Sequence, residues 1–265
     1  MSGFSPDWLD LREPADRQAR CKALQAQVAT YFADRDSISI CDLGAGTGAT
    51  VRALHPLLPR PQTWRLIDHV AENLQAAEAR LGPVAETEAL TIHYQVHDLA
   101  DDPAPWDDEA GFVTASALFD LTSTTWIETL VARLAERQLP LLGLLTYDGR
   151  LEFANKVPED KVMHEAFDAH QQTDKGFGPA AGPNATLRLE AALANAGYRL
   201  FSGDSTWELG SDHAEMRQAV IDGWAGAARE MAVDEDTIQA WLRAHADAAD
   251  MLAVGHTDLF AHPAR

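Results

Sequence analysis

Residues 38–48, with the sequence ISICDLGAGTG, join a short apolar run to three glycines at alternate positions. Asp42 lies near the end of the apolar run, and a single residue, Leu43, separates it from the first glycine, Gly44. In the following stretch, TVRALHPLL at 50–58, apolar side chains recur at helical spacing. These residues therefore predict a strand, a glycine-rich loop and a helix. Because glycine accepts sharp turns and lets bare backbone approach a ligand, the loop indicates a nucleotide-like cofactor.

The composition describes an acidic chain with enough apolar residues to bury a core. The 265 residues are 46% hydrophobic, and 41 acidic against 21 basic residues give a formal net charge of −20. This charge repels nucleic-acid phosphates and anionic lipid, so we expect neither a nucleic-acid nor a membrane partner. Two cysteines form no disulfide framework, and residues 1–20 lack the apolar region of a signal peptide. We therefore expect a cytoplasmic protein, either a monomer or a homodimer.

Predicted strands and helices alternate along the chain. The predicted strands are 38–43, 63–68, 90–96, 111–116, 139–148, 198–203 and 253–261. In addition to the helix that follows the glycine loop, the predicted helices are 15–33, 70–81, 124–138, 157–172, 184–197 and two more within 211–252. Strands separated by helices predict an α/β fold whose mostly parallel sheet has helices on both faces. We expect a single domain over 1–265, in which helix 15–33 and segments 153–183 and 211–252 form lid or cap additions.

The glycine loop alone fits two classes of cofactor. Gly44, Gly46 and Ala49 match the G-x-G-x-x-A fingerprint of dinucleotide-binding folds. Asp68 follows at the end of the second predicted strand, where either class of cofactor places an acid against ribose hydroxyls. An NAD-dependent oxidoreductase is therefore one interpretation of these residues.

Three further residues favour S-adenosylmethionine (SAM). Asp42 directly precedes the loop, where it can meet the α-amino group of this cofactor, and Gly48 continues the alternation of glycines. Asp98 follows the third predicted strand, where a carboxylate can accept a hydrogen bond from the adenine amino group.

The motifs DLGAGTG, LID and VHDL, at the ends of three successive predicted strands, resemble those of the class I SAM-dependent methyltransferases. The resemblance has specific motifs over residues 36–150. It implies a Rossmann-like sheet of seven strands, six parallel and one antiparallel, with the last strand inserted between the fifth and sixth. It also implies SAM as cofactor and methyl transfer to a small-molecule acceptor. A non-catalytic SAM-binding module remains another alternative.

The resemblance further implies which residues bind the cofactor. The glycine loop would line its methionine part, Asp68 would bind the ribose, and Asp98 with Leu99 would flank the adenine. The full expected set is Asp42, Gly44, Ala45, Gly46, Thr47, Asp68, His69, Asp98, Leu99, Ser116, Ala117 and Arg17. The fourth predicted strand ends in TASALFDL, without the Asn-Pro-Pro-Tyr signature of planar-nitrogen methylation. Methylation of adenine N6, cytosine N4 or glutamine is therefore not expected.

Fewer residues indicate the acceptor. His170 precedes the glycine-containing loop 176–183, GFGPAAGP, and is a candidate general base at neutral pH. Arg12, Arg17 and Arg20 precede the sheet and could hold the cofactor carboxylate or an acidic substrate. We predict that His170 and at least one of Arg12 and Arg17 face the cleft. His93 and His97 lie four residues apart with no third ligand near them in the sequence, so no metal site is expected.

Overall fold

A computed structural model of the protein describes residues 4–247 and 250–264. The helices are α1 (Pro6–Ala19), α2 (Lys22–Phe32), α3 (Ala49–Leu54), α4 (Ala71–Thr87), α5 (Thr124–Arg137), α6 (Asp160–Gln171), α7 (Ala185–Asn195), α8 (Ala214–Glu230) and α9 (Glu235–Ala244). The strands are β1 (Ile38–Leu43), β2 (Gln62–Asp68), β3 (Leu90–Val96), β4 (Phe112–Ser116), β5 (Leu141–Phe153), β6 (Tyr198–Asp204), β7 (Trp207–Leu209) and β8 (Leu252–Pro263). Among these residues, we find no helix with the length and hydrophobicity that a bilayer crossing requires.

The strands form one sheet in the order β3-β2-β1-β4-β5-β8-β6. Strands β1 to β5 pair in parallel, whereas β8 runs antiparallel to both β5 and β6. The expected sheet, with its last long strand inserted antiparallel between the fifth and sixth, is therefore confirmed. The sequence did not predict β7, a short strand that pairs with β8 beside the main order.

The two faces of the sheet are both covered because the strand side chains alternate between them. Ile40, Trp64 and Phe112 pack in one apolar cluster with residues of α2, α3 and α4. Their neighbours Cys41 and Val113 pack in another, with residues of α5 and α7. A strand buried on both faces has few positions for polar side chains, which explains the almost continuous apolar run at the start of β5.

A third apolar cluster lies where the long antiparallel pair β5 and β8 extends past the other strands. It joins residues of α1, α6, α8 and α9 to the end of β5 and the start of β8. His245 reinforces this cluster, since its ring nitrogens lie 2.7 Å from a carboxylate oxygen of Asp160 and 3.1 Å from one of Asp250. The segments 153–183 and 211–252 thus meet beside the carboxyl end of β5.

The predicted helix 15–33 is wrong in one respect, because the structure contains two helices there, with a break at Cys21. The backbone N–H of Cys21 donates to Oδ2 of Asp258 in β8, at 2.9 Å. The second oxygen of Asp258 accepts from the N–H of Leu145, at 2.8 Å, where β5 shifts register and Leu145 has φ +53°. Asp258 therefore fixes the junction of α1 and α2 to the centre of the sheet.

The predicted end of helix 70–81 is also wrong, because α4 continues through Gly82 and Pro83 to Thr87. Val84 and Ala85, beyond the proline, pack against the cluster around α2, α3 and α4. Tertiary packing thus outweighs the loss of one helical hydrogen bond at Pro83.

Candidate cofactor and acceptor site

A cavity of about 630 Å³ lies at the carboxyl ends of β1, β2, β3 and β4. Its walls are the loops that follow these strands, residues of α1, and the segment that runs from the end of α6 to Phe177. Pockets that bury small molecules measure about 300–1,000 Å³. The cavity therefore has the size and the place at the sheet edge that ligand sites have in open α/β folds.

The glycine loop forms one wall of this cavity. Gly44 and Gly46 have φ values of +64° and +54°, and both line the cavity. A Cβ added at Gly46 would lie 3.0 Å from Cδ1 of Leu9, a residue of α1. Gly48 serves packing instead, since a Cβ there would come within 2.6 Å of Leu81 in α4. Gly44 and Gly46 thus keep the backbone bare where it faces the cavity.

Asp68, the last residue of β2, is tied to this loop. Its Oδ2 accepts a hydrogen bond from the N–H of Gly46 and its Oδ1 one from the N–H of Val70, each at 2.8 Å. The residue is only 6% exposed, and that exposed part faces the cavity. His69 lines the cavity next to it. The first two strand ends are therefore held in one arrangement by a single carboxylate.

The ends of β3 and β4 complete this side of the cavity. Asp98 is exposed and its Oδ1 accepts from the N–H of Ala100, at 2.9 Å. Leu99 is buried, and its carbonyl accepts from Nε1 of Trp126, at 2.7 Å. At the end of β4, Ala117 has φ +51° and its N–H donates to the carbonyl of Leu144 in β5.

The structure brings most of the expected site residues to this one cavity. Those that line it are Gly44, Ala45, Gly46, Thr47, Asp68, His69, Asp98, Leu99, Ser116, Ala117 and His170. Asp42 does not reach it, because the residue is fully buried behind the loop, where Oδ1 accepts from the hydroxyl of Thr114 at 2.7 Å.

Arg17, which was expected at the cofactor, does not line the cavity. Its side chain is 71% exposed and lies 3.6 Å from the carboxylate of Glu13. Residues four apart share a face of a helix, whereas Arg17 is rotated by about 100° from its neighbour Asp16. Arg12, Asp16 and Arg20 are spaced four apart, which predicts that they share one face of a helix, and all three line the cavity.

Arg12 and Arg20 differ in their partners. Arg12 makes two hydrogen bonds to Asp16, at 2.9 and 3.2 Å, so its charge is already balanced. Arg20 is 3% exposed, and its only hydrogen bond in the described part of the chain runs from Nη1 to the carbonyl of Ala49, at 3.4 Å. Its Nε and Nη2 have no partner there. Burial lowers the pKa of Arg20, although nearby carboxylates, Asp16 first among them, oppose this effect.

Burial also raises the pKa of Asp42 to about 7, from an ordinary value of 3.8, while the hydrogen bond from Thr114 opposes part of the rise. The folded protein therefore keeps a proton on Asp42 over a range of pH in which the unfolded chain has released it. Across that range the native state binds more protons, so the free energy of unfolding falls as the pH rises.

We expect Asp42→Asn to remove this dependence. The free energy of unfolding of wild type, relative to the variant, should fall between pH 3.8 and about 7 and stay level above that range. The fall is at most about 4 kcal/mol, from a shift of about three units. Urea denaturation of both proteins across this pH range measures the difference. Burial also raises the pKa of Asp120 to about 6, but this residue is present in both proteins, so its contribution cancels. A difference that does not vary with pH would contradict the prediction.

Three ionisable side chains meet at the other end of the cavity. Nε2 of His170, in α6, lies 3.0 Å from Oε2 of Glu230, at the end of α8. Nζ of Lys175 lies 3.3 Å from Nδ1 of the same ring. Leu121 and Phe177 line the cavity nearby. Over residues 4–247 and 250–264, no group of three or more His, Cys, Asp or Glu residues is placed to bind a metal ion.

Comparisons with known proteins identify the fold. No family model matches the chain, and no curated protein matches it in sequence. Among solved structures, it is similar to the YcgJ protein from Bacillus subtilis, with a TM-score of 0.53 and 12% identity over 92% of this chain and 100% of that chain. It is also similar to a candidate methyltransferase from Bacillus halodurans C-125, with a TM-score of 0.52 and 14% identity over 91% of this chain and 100% of that chain. The chain has the fold of the class I SAM-dependent methyltransferases.

Proposed function

We propose that the protein is a SAM-dependent methyltransferase that acts on a small molecule. The observation that carries this proposal is the meeting, in one cavity, of bare loop backbone, strand-end carboxylates and a buried arginine without a full set of partners. A zwitterionic nucleoside such as SAM offers ribose hydroxyls, an adenine, an ammonium and a carboxylate. The residues present fit the ribose hydroxyls, the adenine and the carboxylate.

The cofactor contacts in this proposal follow the strand ends. Gly44 and Gly46 hold the methionine part through their backbone, Asp68 binds the ribose hydroxyls, and Asp98 with Leu99 flanks the adenine. Arg20 takes the place that the sequence had suggested for Arg17, and its free Nε and Nη2 bind the cofactor carboxylate by charge-assisted hydrogen bonds. Asp42 acts from behind the loop, where it supports the loop through its hydrogen bond with Thr114 and lies near Arg20.

When bound, SAM supplies an electrophilic methyl group on a sulfonium. The chain must align the acceptor with that methyl group, exclude water and accept a proton where the acceptor loses one. The cavity has a wall from α1 and another from the end of α6, which suits the exclusion of water. We propose His170 as the group that takes the proton. We further propose that α1, α6, α8 and α9 form the cap of a single domain, and that the protein is cytoplasmic.

Two alternatives make different demands on the fold. An NAD-dependent oxidoreductase typically uses a dinucleotide fold with the strand order 3-2-1-4-5-6. Here an antiparallel strand, β8, separates β5 from β6, which favours SAM over NAD. A SAM-binding module without activity needs no acceptor site, whereas this cavity continues to His170 and Lys175. That continuation favours an enzyme.

Ligand-induced thermal stabilisation tests the proposal. We expect SAM and S-adenosylhomocysteine (SAH) to raise the melting temperature and NAD to leave it unchanged. A ligand at a hundredfold excess over its dissociation constant adds about 2.7 kcal/mol to the free energy of unfolding. Differential scanning fluorimetry would record this as a shift of several degrees. Stabilisation by NAD without stabilisation by SAM or SAH would overturn the proposal.

A further inference from the structure

The acceptor end of the cavity contains a cluster of three side chains from three separate elements. His170 lies in α6, Lys175 in the loop that follows it, and Glu230 at the end of α8. All three line the same cavity as the glycine loop. We call this group the His170 cluster.

Hydrogen bonds within the His170 cluster select one form of the imidazole ring. A carboxylate can only accept, so the 3.0 Å contact with Glu230 requires a proton on Nε2 of His170. Nδ1 then carries the free lone pair, and Nζ of Lys175 lies beside the ring, 3.3 Å from Nδ1 and 3.4 Å from Nε2. Glu230 therefore fixes Nε2 as a nitrogen that carries a proton, and leaves Nδ1 as the nitrogen that can accept one from a ligand.

The loop that carries Lys175 is fixed by its own backbone. Oδ1 of Asp174 accepts from the N–H of Gly176 at 2.7 Å and from that of Gly178 at 3.0 Å. Asp174 is thus engaged in the loop and makes no ion pair with Lys175 within the described residues. Desolvation lowers the pKa of Lys175, and the charge of Glu230 opposes this shift. The ammonium is therefore partly withdrawn from water at a place where an anion could replace that hydration.

Apolar side chains flank the His170 cluster. Phe177 lines the cavity and its ring packs edge-to-face on Trp126, with the ring centroids 5.6 Å apart. Leu118 and Leu121 add aliphatic surface from the segment after β4. Arg12, another cation of the cavity wall, is already paired with Asp16. The site therefore combines an apolar wall, a base and one cation.

We propose that the acceptor carries an acidic hydroxyl group on an apolar, ring-like body, as a phenol does. This inference rests on the proposed function. The hydroxyl proton passes to Nδ1 of His170, and Lys175 holds the negative oxygen. That oxygen forms a bond to the methyl carbon as the carbon–sulfur bond breaks, and the bonding pair leaves with the sulfur. The proton on His170 then returns to water beside Glu230, whose side chain is 72% exposed. Glu230 is a positioning residue, because it acts through His170.

The optical titration of 4-nitrophenol tests the acceptor class, since its phenolate absorbs visible light and its phenol form does not. We expect 4-nitrophenol to bind to the SAH-saturated protein. The pKa of the bound probe should be lower than that of the free probe by about one unit or more, because a cation lies near its oxygen. Lys175→Met should abolish this shift. Lys161→Met, which removes an 83% exposed ammonium from the other end of α6, should leave the shift unchanged. The methyl ether 4-nitroanisole, which has no acidic proton, should bind more weakly than 4-nitrophenol.

Three outcomes would overturn the inference: no binding of 4-nitrophenol, ionisation as in free solution, or a shift that persists in Lys175→Met. Equal affinity for 4-nitroanisole would do so as well. These outcomes differ from failure of the proposed function, which would show as absence of stabilisation by SAM and SAH before any phenol is added.

The role of Glu230 has a spectroscopic readout that needs no turnover. In protein with ¹⁵N-labelled histidine, we expect the His170 ring to show the chemical shifts of the Nε2-protonated neutral form, assigned by their loss in His170→Gln. Glu230→Gln should convert this into a mixture of the two neutral forms. Glu235→Gln is the matched control, because Glu235 pairs with Arg229 and lies outside the cavity wall. A wild-type ring protonated on Nδ1 would refute the positioning role.

Discussion

Gly46→Val is expected to abolish the binding of SAM and SAH. The valine side chain would enter the cavity wall where bare backbone faces the ligand, at a residue with φ +54°. A Cβ at this position already lies 3.0 Å from Leu9 of α1, so α1 gives the side chain no room to turn away. We expect affinity for SAH to fall more than about a hundredfold, or about 2.8 kcal/mol. Isothermal titration calorimetry measures the loss.

The control for this variant must carry the same backbone strain away from the cavity. Gly197, after α7, has φ +81° and no atoms within 4 Å of a Cβ added there. Gly197→Val should therefore lose stability by about 1–3 kcal/mol, as Gly46→Val does through the same strain, yet bind SAH as wild type does. Wild-type affinity in folded Gly46→Val would remove the loop from the site, whereas equal losses in both variants would indicate a general effect of instability.

Arg20→Met is expected to lower the affinity for SAH by about 10- to 200-fold. This corresponds to the loss of about 1.5–3 kcal/mol in charge-assisted hydrogen bonds. Methionine keeps much of the length of the buried stem but removes the guanidinium, whose Nε and Nη2 lack partners in the described residues. Calorimetric titration of SAH into both proteins gives the ratio of the dissociation constants.

Two controls make this prediction specific to the cofactor carboxylate. Arg17→Met makes the same change at the neighbouring face of α1, where the side chain is 71% exposed, and should leave SAH affinity unchanged. Methylthioadenosine lacks the amino acid part of SAH, so its affinity should be the same in wild type and Arg20→Met. An equal loss for both ligands would show that Arg20 supports the shape of the cavity and does not contact the carboxylate.

The sequence predicted the sheet well because each long strand carries its own pattern. The apolar run at 139–148 and the alternation at 90–96 need no tertiary information to be recognised. The break at Cys21 could not be predicted, since it depends on Asp258, a residue of β8 that reaches α1 only in the folded sheet. The extension of α4 beyond Pro83 could not be predicted for the same reason, because the apolar packing of Val84 and Ala85 overrides the local signal of Gly82 and Pro83.

The two halves of the candidate site differ in how far the sequence could predict them. Cofactor residues follow strands directly, so a position in sequence translates into a position at the sheet edge, as at Asp68 and Asp98. The acceptor side is assembled from separate helices and a loop. His170 was recognised by its chemistry, but Glu230, in the predicted helical segment 211–252, had no local feature that links it to His170. The residues that α1 contributes to the cavity, Arg12, Asp16 and Arg20, are spaced four apart. They could have been predicted by treating the three positions as one face of a helix.

The internal position of β8 has a consequence for how the protein is made. This strand follows both β5 and β6 in the sequence, yet it lies between them in the sheet. Until it is synthesised, both neighbours have open edges, and such edges invite pairing with other nascent chains. Asp258 enters with β8 and fixes the α1–α2 junction next to Arg20. α1 and α2 therefore reach their final place only after β8, more than 200 residues further along the chain, has been synthesised.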